Sequence, residues 1–142
     1  MEVRFYDNIK KETAVIYSVI VAIMDDNILM CRKKGAKTWE IPGGKIEKNE
    51  TELAAAKREL FEETGAVNFE IMPFSYYSVT INGVERFGKL FIAIINKLGE
   101  LPEMEMEEVR SFEELPNELS YPIIQPILVK KALSVQGRNV LK

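Results

Sequence analysis

Histidine is absent from this chain, and cysteine occurs once, at Cys31. Without imidazole there is no Ser-His-Asp triad and no histidine-based zinc centre, and one thiol cannot close a disulfide within the chain or form a CxxC redox pair. Aspartate is limited to Asp7, Asp25 and Asp26, so general acid-base work and carboxylate ligation fall to glutamate. Cationic charge is not in excess: 19 Lys and Arg stand against 22 Asp and Glu, a formal net charge of −3. Nucleic acid is therefore not an expected partner, because binding by phosphate neutralisation needs a surplus of basic residues. Long apolar runs are missing as well. The stretch from Ala14 to Met24 carries Tyr17 and Ser18 and falls short of the ~20 residues that span a bilayer. The opening MEVRFYDNIKKE has neither an apolar core nor a small-residue cleavage pattern, so no secretory signal and no membrane association are expected. The cytoplasm is the default compartment for such a chain.

What the chain does have is enough apolar material for one core. Its 142 residues are 46% hydrophobic and 29% charged, without linker, internal repeat or low-complexity tract, which predicts a single domain over residues 1–142. Ala14 to Met24 is rich in Val and Ile and apolar on both faces, as a central strand is. Ile28 to Arg32 returns after the Asp25-Asp26-Asn27 turn. Trp39 to Ile41 is a short extended piece leading into Pro42-Gly43-Gly44, read as a turn whose glycines permit close approach of backbone to a ligand. Val67 to Met72, Tyr76 to Ile81, Val84 to Asn96 and Val109 to Phe112 read as further strands, with Asn82-Gly83 as a tight hairpin turn. One helix is predicted from Glu52 to Glu63, capped by Asn49 in a box with Glu52 and stopped by Gly65. A second runs from Ile123 to Leu133, behind Pro122. The sum is an α/β fold with a mixed β-sheet and flanking helices.

The first helix carries the chemistry. Glu59, Glu62 and Glu63 crowd one edge of it, beside an apolar face of Leu53, Ala56 and Leu60. Like charges at this spacing repel by about a few tenths of a kcal/mol per pair, and Arg58 offsets part of that through its i,i+4 relation to Glu62. A bound cation would remove the remainder; a solvated acidic face is the plain alternative. With no histidine and one cysteine, the cation suited to such donors is a hard one. Mg²⁺ or Mn²⁺ takes carboxylate, carbonyl and water oxygens and shares its shell with substrate phosphates.

The stretch from Gly44 to Ala66, GKIEKNETELAAAKRELFEETGA, reads G-x5-E-x7-R-E-U-x-E-E-x-G-U, with U a bulky aliphatic residue. That pattern resembles the Nudix box of the Nudix hydrolases, and the likeness runs upstream through TWEIPGG, Thr38 to Gly44. Ala66 departs from it, standing where the family prefers Ile, Leu or Val. The resemblance implies a Nudix-type α/β/α sandwich and a pyrophosphohydrolase, in which water attacks a nucleoside diphosphate linked to another moiety. It implies Mg²⁺, with Mn²⁺ as a substitute, held by Glu59, Glu62 and Glu63, and a glycine carbonyl in the same shell, at Gly43 by likeness to MutT-type members. It also makes Glu59 a candidate base and puts Glu50 in support of the site through Arg58. Some members take the base from a downstream loop. Here PEMEMEEV offers Glu103, Glu105, Glu107 and Glu108, and Glu105 is carried forward as the candidate.

Substrate contacts are less clearly marked. Trp39 is either core or a base-stacking platform. Of Lys33, Lys34, Lys37 and Lys45 one phosphate contact is expected, with Lys33 and Lys45 as candidates, and Arg86 and Lys89 carry the same choice between phosphate contact and solvated charge. WEIPGGKIE resembles MutT-like enzymes that hydrolyse oxidised purine nucleoside triphosphates such as 8-oxo-dGTP, but NELSYP puts Ser120 where those members place a purine-recognising Asn. The proline of ADP-ribose-cleaving members and the tyrosine of diadenosine-polyphosphate cleavers are both missing. The expected activity is thus Mg²⁺-dependent hydrolysis of a nucleoside triphosphate to monophosphate and pyrophosphate. The alternatives are a noncatalytic nucleotide-sensing module and a hydrolase of another diphosphate, such as ADP-ribose or an RNA 5′ end. The expected partner is a small nucleotide, and a homodimer is left open.

Overall fold

The computed structural model describes residues 1–136. In chain order its elements are β1 (Glu2–Tyr6), β2 (Val15–Met24), β3 (Asn27–Lys33), β4 (Gly43–Lys45), α1 (Glu52–Thr64), β5 (Ala66–Ile81), β6 (Val84–Leu98), β7 (Met106–Phe112) and α2 (Ile124–Gln136). The strands make one mixed sheet in the order β1-β5-β6-β2-β3-β7, with β4 paired to β2. β2 runs parallel to β6 along one edge, while its other edge is divided, Tyr17 to Val19 pairing with β4 and Ala22 to Met24 with β3.

Alternation along β2 divides the core into two layers. Ile20 and Ala22 face α1 and pack with Ala56, Leu60, Phe91 and Ala93. Val21 and Ile23 face α2 and pack with Leu128, Val129, Ala132 and Leu133. All four β2 residues are at most 1% exposed, as a central strand covered on both faces requires. The result is the α/β/α sandwich. No helix among the described residues is long and apolar enough to cross a membrane.

Several elements differ from their sequence reading. Val67 to Met72 and Tyr76 to Ile81 belong to one strand, β5, because the register shift between Pro73 and Ser75 absorbs the proline that has no N–H for the ladder. β1, which carries no strong apolar pattern, adds to the edge of β5 from Glu2 opposite Thr80 to Tyr6 opposite Tyr76. The Gly43-Gly44 pair is not a turn but strand β4, opposite Val19 and Ser18. β7 starts at Met106, earlier than the expected Val109, so Glu107 and Glu108 lie in a strand.

α1 is capped by Thr51 rather than Asn49. The Thr51 hydroxyl accepts a hydrogen bond from the Ala54 N–H at 3.0 Å, whereas Asn49 sits at φ 66° in the turn that feeds the helix. At the other end Gly65, at φ 77°, donates its N–H to the Phe61 carbonyl at 2.8 Å, the left-handed stop read from the sequence. Leu53, expected on the apolar face, is 40% exposed. α1 is also fastened to the sheet through the Ser18 hydroxyl, which donates to the Glu52 carbonyl at 2.8 Å.

Candidate active site

The last turns of α1 bring two carboxylates down against β4. Glu63 is 6% exposed, and its Oε1 accepts a hydrogen bond from the Gly43 N–H at 2.8 Å. Burial pushes its carboxyl up to about 8; the Gly43 N–H opposes the shift, and the charges of Glu59, Glu40 and Glu105 add to it. Glu59, one turn earlier, is pushed up by burial as well, against the lowering effect of Arg58. Gly44 makes this approach sterically feasible: a Cβ there would lie 2.6 Å from Glu59 Oε1.

Arg58 fans across the remaining acids. Its Nε and one terminal nitrogen hold Glu50 at 2.7 and 3.0 Å. The other terminal nitrogen reaches Glu59 at 2.7 Å and Glu62 at 3.3 Å. A further bond, 3.1 Å to the Lys45 carbonyl, ties the fan to β4. The Arg58 guanidinium and the Glu47 N–H hold the Glu50 carboxyl at about 2, and Glu50 in turn pushes the Arg58 pKa upward. Such bidentate, charge-assisted pairing fixes carboxylate orientation as well as charge.

A cavity of about 650 Å³ opens beside these groups. Glu59, Glu63, Gly43, Gly44, Lys45, Lys33, Arg86 and Glu105 line it, together with an apolar wall that includes Tyr17, Val19 and Val79. Of the four acids in PEMEMEEV, Glu105 alone lines it; Glu108 is engaged by Arg32 at 3.1 Å and by Arg110 at 2.7 Å. Glu50, Arg58 and Glu62 are not part of the lining. Trp39 does not line the cavity; it is 7% exposed, in the core on the α2 side, with the Phe112 ring 5.0 Å away and the Arg110 guanidinium 4.9 Å from its own ring. Ser120 also lies outside the lining, its hydroxyl donating to Glu40 Oε2 at 3.0 Å and paired with the Thr38 hydroxyl at 2.8 Å. Lys89 is drawn onto the Tyr76 ring, 3.6 Å from its centroid.

Residues 15–127, covering β2 to β7, α1 and the start of α2, match the NUDIX domain family. The chain belongs to the Nudix hydrolase family. Among its relatives, an RNA pyrophosphohydrolase of Halorhodospira halophila is 47% identical over 47 residues, which are 33% of this chain and 26% of that protein. An 8-oxo-dGTP diphosphatase of Buchnera aphidicola is 50% identical over 38 residues, 27% of this chain and 31% of that protein. The chain thus spans about a third or less of these curated relatives. A solved pyrophosphohydrolase of Bacillus subtilis superposes with a TM-score of 0.76, covering 94% of this chain and 90% of that one at 22% identity, a likeness of fold.

As they stand, no three acidic side chains of this Nudix site gather closely enough, among the described residues, to hold a metal ion. Arg58 occupies Glu59 and Glu62. The donor set nevertheless suits a hard divalent cation. It offers only oxygen, and the Glu63 carboxyl, pushed up to about 8 chiefly by burial, has the charges of Glu59, Glu40 and Glu105 beside it, an acidic grouping that a cation would relieve. The Nudix pattern singled out neither of two buried polar residues in the lining. Glu40 faces Lys33 at 3.9 Å. Gln125, in the first turn of α2, is 4% exposed and leaves its Oε1 without a hydrogen-bond partner. A glutamine ahead of a proline reads as an ordinary helix start, and only the packing of α2 gives it a place in the cavity.

Proposed function

We propose that this Nudix chain is a metal-dependent pyrophosphohydrolase that cuts a nucleoside triphosphate to its monophosphate and pyrophosphate, with an oxidised purine nucleotide of the 8-oxo-dGTP kind as the leading substrate. One observation carries the reading. Buried, proton-holding Glu63 stands with Glu59 in the wall of a cavity that also receives Lys33, Lys45 and Arg86. Acids alone would repel a polyphosphate; acids beside three cations make a place where both a cation and a polyphosphate are stabilised.

Glu59, Glu62 and Glu63, with a backbone oxygen at Gly43, are the groups that would hold Mg²⁺, or Mn²⁺ in its place. When bound, the ion supplies charge neutralisation of the diphosphate and a more acidic water. The chain's own residues do the rest. Lys33, Lys45 and Arg86 meet phosphate oxygens. Glu105 is the candidate to take a proton from the attacking water, with Glu59 the other, since both carboxylates line the cavity. Arg58, held by Glu50, keeps Glu59 and Glu62 oriented. Ser120 acts on the wall through Glu40, whereas Trp39 packs in the core.

The test follows products at fixed Mg²⁺: pyrophosphate from 8-oxo-dGTP, dGTP, ATP and a 5′-triphosphorylated RNA oligonucleotide, and AMP with ribose 5-phosphate from ADP-ribose. Turnover of a free triphosphate is expected, with Glu63→Gln reducing kcat/KM at least ~100-fold at an undiminished melting temperature. Preference for the RNA would favour the second reading, which the relative named RNA pyrophosphohydrolase supports. Unaltered turnover in Glu63→Gln would overturn the site. Ligand-induced stabilisation without any turnover would make the chain a nucleotide sensor.

A further inference from the structure

We propose that Ser120 and Glu40 are positioning residues for Lys33: they hold a fixed carboxylate beside its ammonium and so keep that ammonium where the polyphosphate of the substrate lies. Glu40 is 8% exposed and lines the cavity, and its two carboxylate oxygens are divided between partners. Oε2 accepts from the Ser120 hydroxyl at 3.0 Å, and Oε1 faces Lys33 Nζ at 3.9 Å. A hydroxyl has a single hydrogen. With that of Ser120 given to Glu40, the 2.8 Å contact between Ser120 and Thr38 is a bond donated by Thr38. The chain from Thr38 through Ser120 thus directs its donors at one carboxylate, and linked bonds of this kind strengthen one another away from water.

The backbone that carries Glu40 is held from both flanks. Its N–H and carbonyl exchange 2.9 Å bonds with Cys31 of β3. On the other flank the Trp39 N–H donates to the Glu118 carbonyl at 2.8 Å, and the Ser120 N–H donates to the Trp39 carbonyl at 2.9 Å. The carboxylate is fixed; Lys33 is not. Its side chain is 44% exposed, and a lysine without a partner spreads over many rotamers. An anion at 3.9 Å selects among them by charge, yet that spacing is too long for a hydrogen bond, so the N–H donors of the ammonium stay free for ligand oxygens. Burial of the carboxylate strengthens the pull, and Glu40 is the largest cause that holds Lys33 above the ordinary lysine pKa. The Ser120 hydroxyl is spent on this network and lies outside the lining. Its loss should therefore be felt at the phosphate end of a nucleotide and not at its base.

This role presumes that the cavity is a nucleoside triphosphate site, and a double-mutant cycle separates the two. Wild type, Ser120→Ala, Ser120→Thr, Lys33→Met and the Ser120→Ala, Lys33→Met double variant are compared in KM and kcat for dGTP and ATP, and in the Kd of inorganic tripolyphosphate with Mg²⁺. Ser120→Ala should raise both KM values and the tripolyphosphate Kd alike, by about threefold to tenfold, with kcat within about twofold of wild type. Ser120→Thr, which keeps the hydroxyl, should recover most of that loss. Lys33→Met should weaken binding at least as much, and adding Ser120→Ala to it should have no further effect, because the serine acts through the lysine. Ser120→Ala should likewise have no effect in a Glu40→Gln background, where the charge that draws Lys33 is gone. Additive losses would overturn the relay, as would a loss in Ser120→Ala that falls on one base and spares tripolyphosphate. If wild type turns over neither nucleotide, the triphosphate hydrolase reading fails, and the tripolyphosphate cycle alone decides the role of Ser120 and Glu40. Failure of wild type to bind tripolyphosphate would then overturn that role as well.

Discussion

Glu63 is buried against β4, and its carboxyl is pushed up to about 8 from the ordinary 4.5. Between those values the folded protein holds a proton that the unfolded chain has released. Stability must then fall as pH rises through this window and level off above it, since the folded state binds the extra proton. In the metal-free protein, urea midpoints should decline from pH 5 to 8.5. Glu63→Gln keeps an acceptor for the Gly43 N–H and carries no charge, so its midpoints should decline less. At pH 8.5 it should be the more stable by about 4–5 kcal/mol, and parallel profiles for the two proteins would refute the assignment. The acid was legible in the sequence because its spacing from Arg58 and Glu59 is fixed by the helix and its offset from Gly44 matches the box. Its burial was not, because that depends on β4 lying alongside α1. Gln125 was illegible for the same reason: nothing local distinguishes it, and its unpaired oxygen arises only from tertiary packing.

At the scale of elements, β4 is three residues long yet sets the distance between α1 and β2. A Cβ at Gly43 would fall 2.9 Å from the Ser18 carbonyl oxygen and 3.0 Å from the Val19 Cα, whereas one at Gly44 would meet the Glu59 carboxylate first, at 2.6 Å. Backbone cannot yield as a side-chain terminus can. Gly43→Ala should therefore destabilise by about 1–3 kcal/mol. Gly44→Ala should unfold at nearly the wild-type denaturant concentration while displacing Glu59 and losing at least ~10-fold in kcat/KM. Equal stability losses in the two variants would contradict this division. The sequence marked both glycines for close approach but read them as a turn, since Gly-Gly-Lys carries no strand pattern; pairing with the free edge of β2 makes them one. The long elements were legible from periodicity, β2 by its apolar run and α1 by its composition and its Gly65 stop. Their junctions were not, as the Thr51 cap and the merging of two expected strands into β5 around Pro73 both show.

On the scale of the whole molecule, the chain is acidic, with a net charge of −3, while the substrate proposed for it is a polyanion. A cavity with Glu59, Glu63, Glu40 and Glu105 against Lys33, Lys45 and Arg86 resolves that conflict only if a cation enters the acidic side. The arrangement described has the internal cation Arg58 bonded to Glu59 and Glu62, so an entering ion must compete with a guanidinium for two of its donors and displace the proton of a third. Binding should then be weak at low pH and stronger above about 8, where Glu63 is ionised. Because an ion that binds only the folded state stabilises by mass action, Mg²⁺ at a hundredfold excess over its Kd should add about 2.7 kcal/mol to unfolding. Melting curves with Mg²⁺ and with EDTA, at pH 6 and pH 8.5, test this. The Mg²⁺-dependent gain should be larger at the higher pH and absent in a Glu59→Gln, Glu63→Gln double variant. A gain that persists in the double variant would place the ion elsewhere on the molecule and remove the reason that these two acids share a wall with three cations.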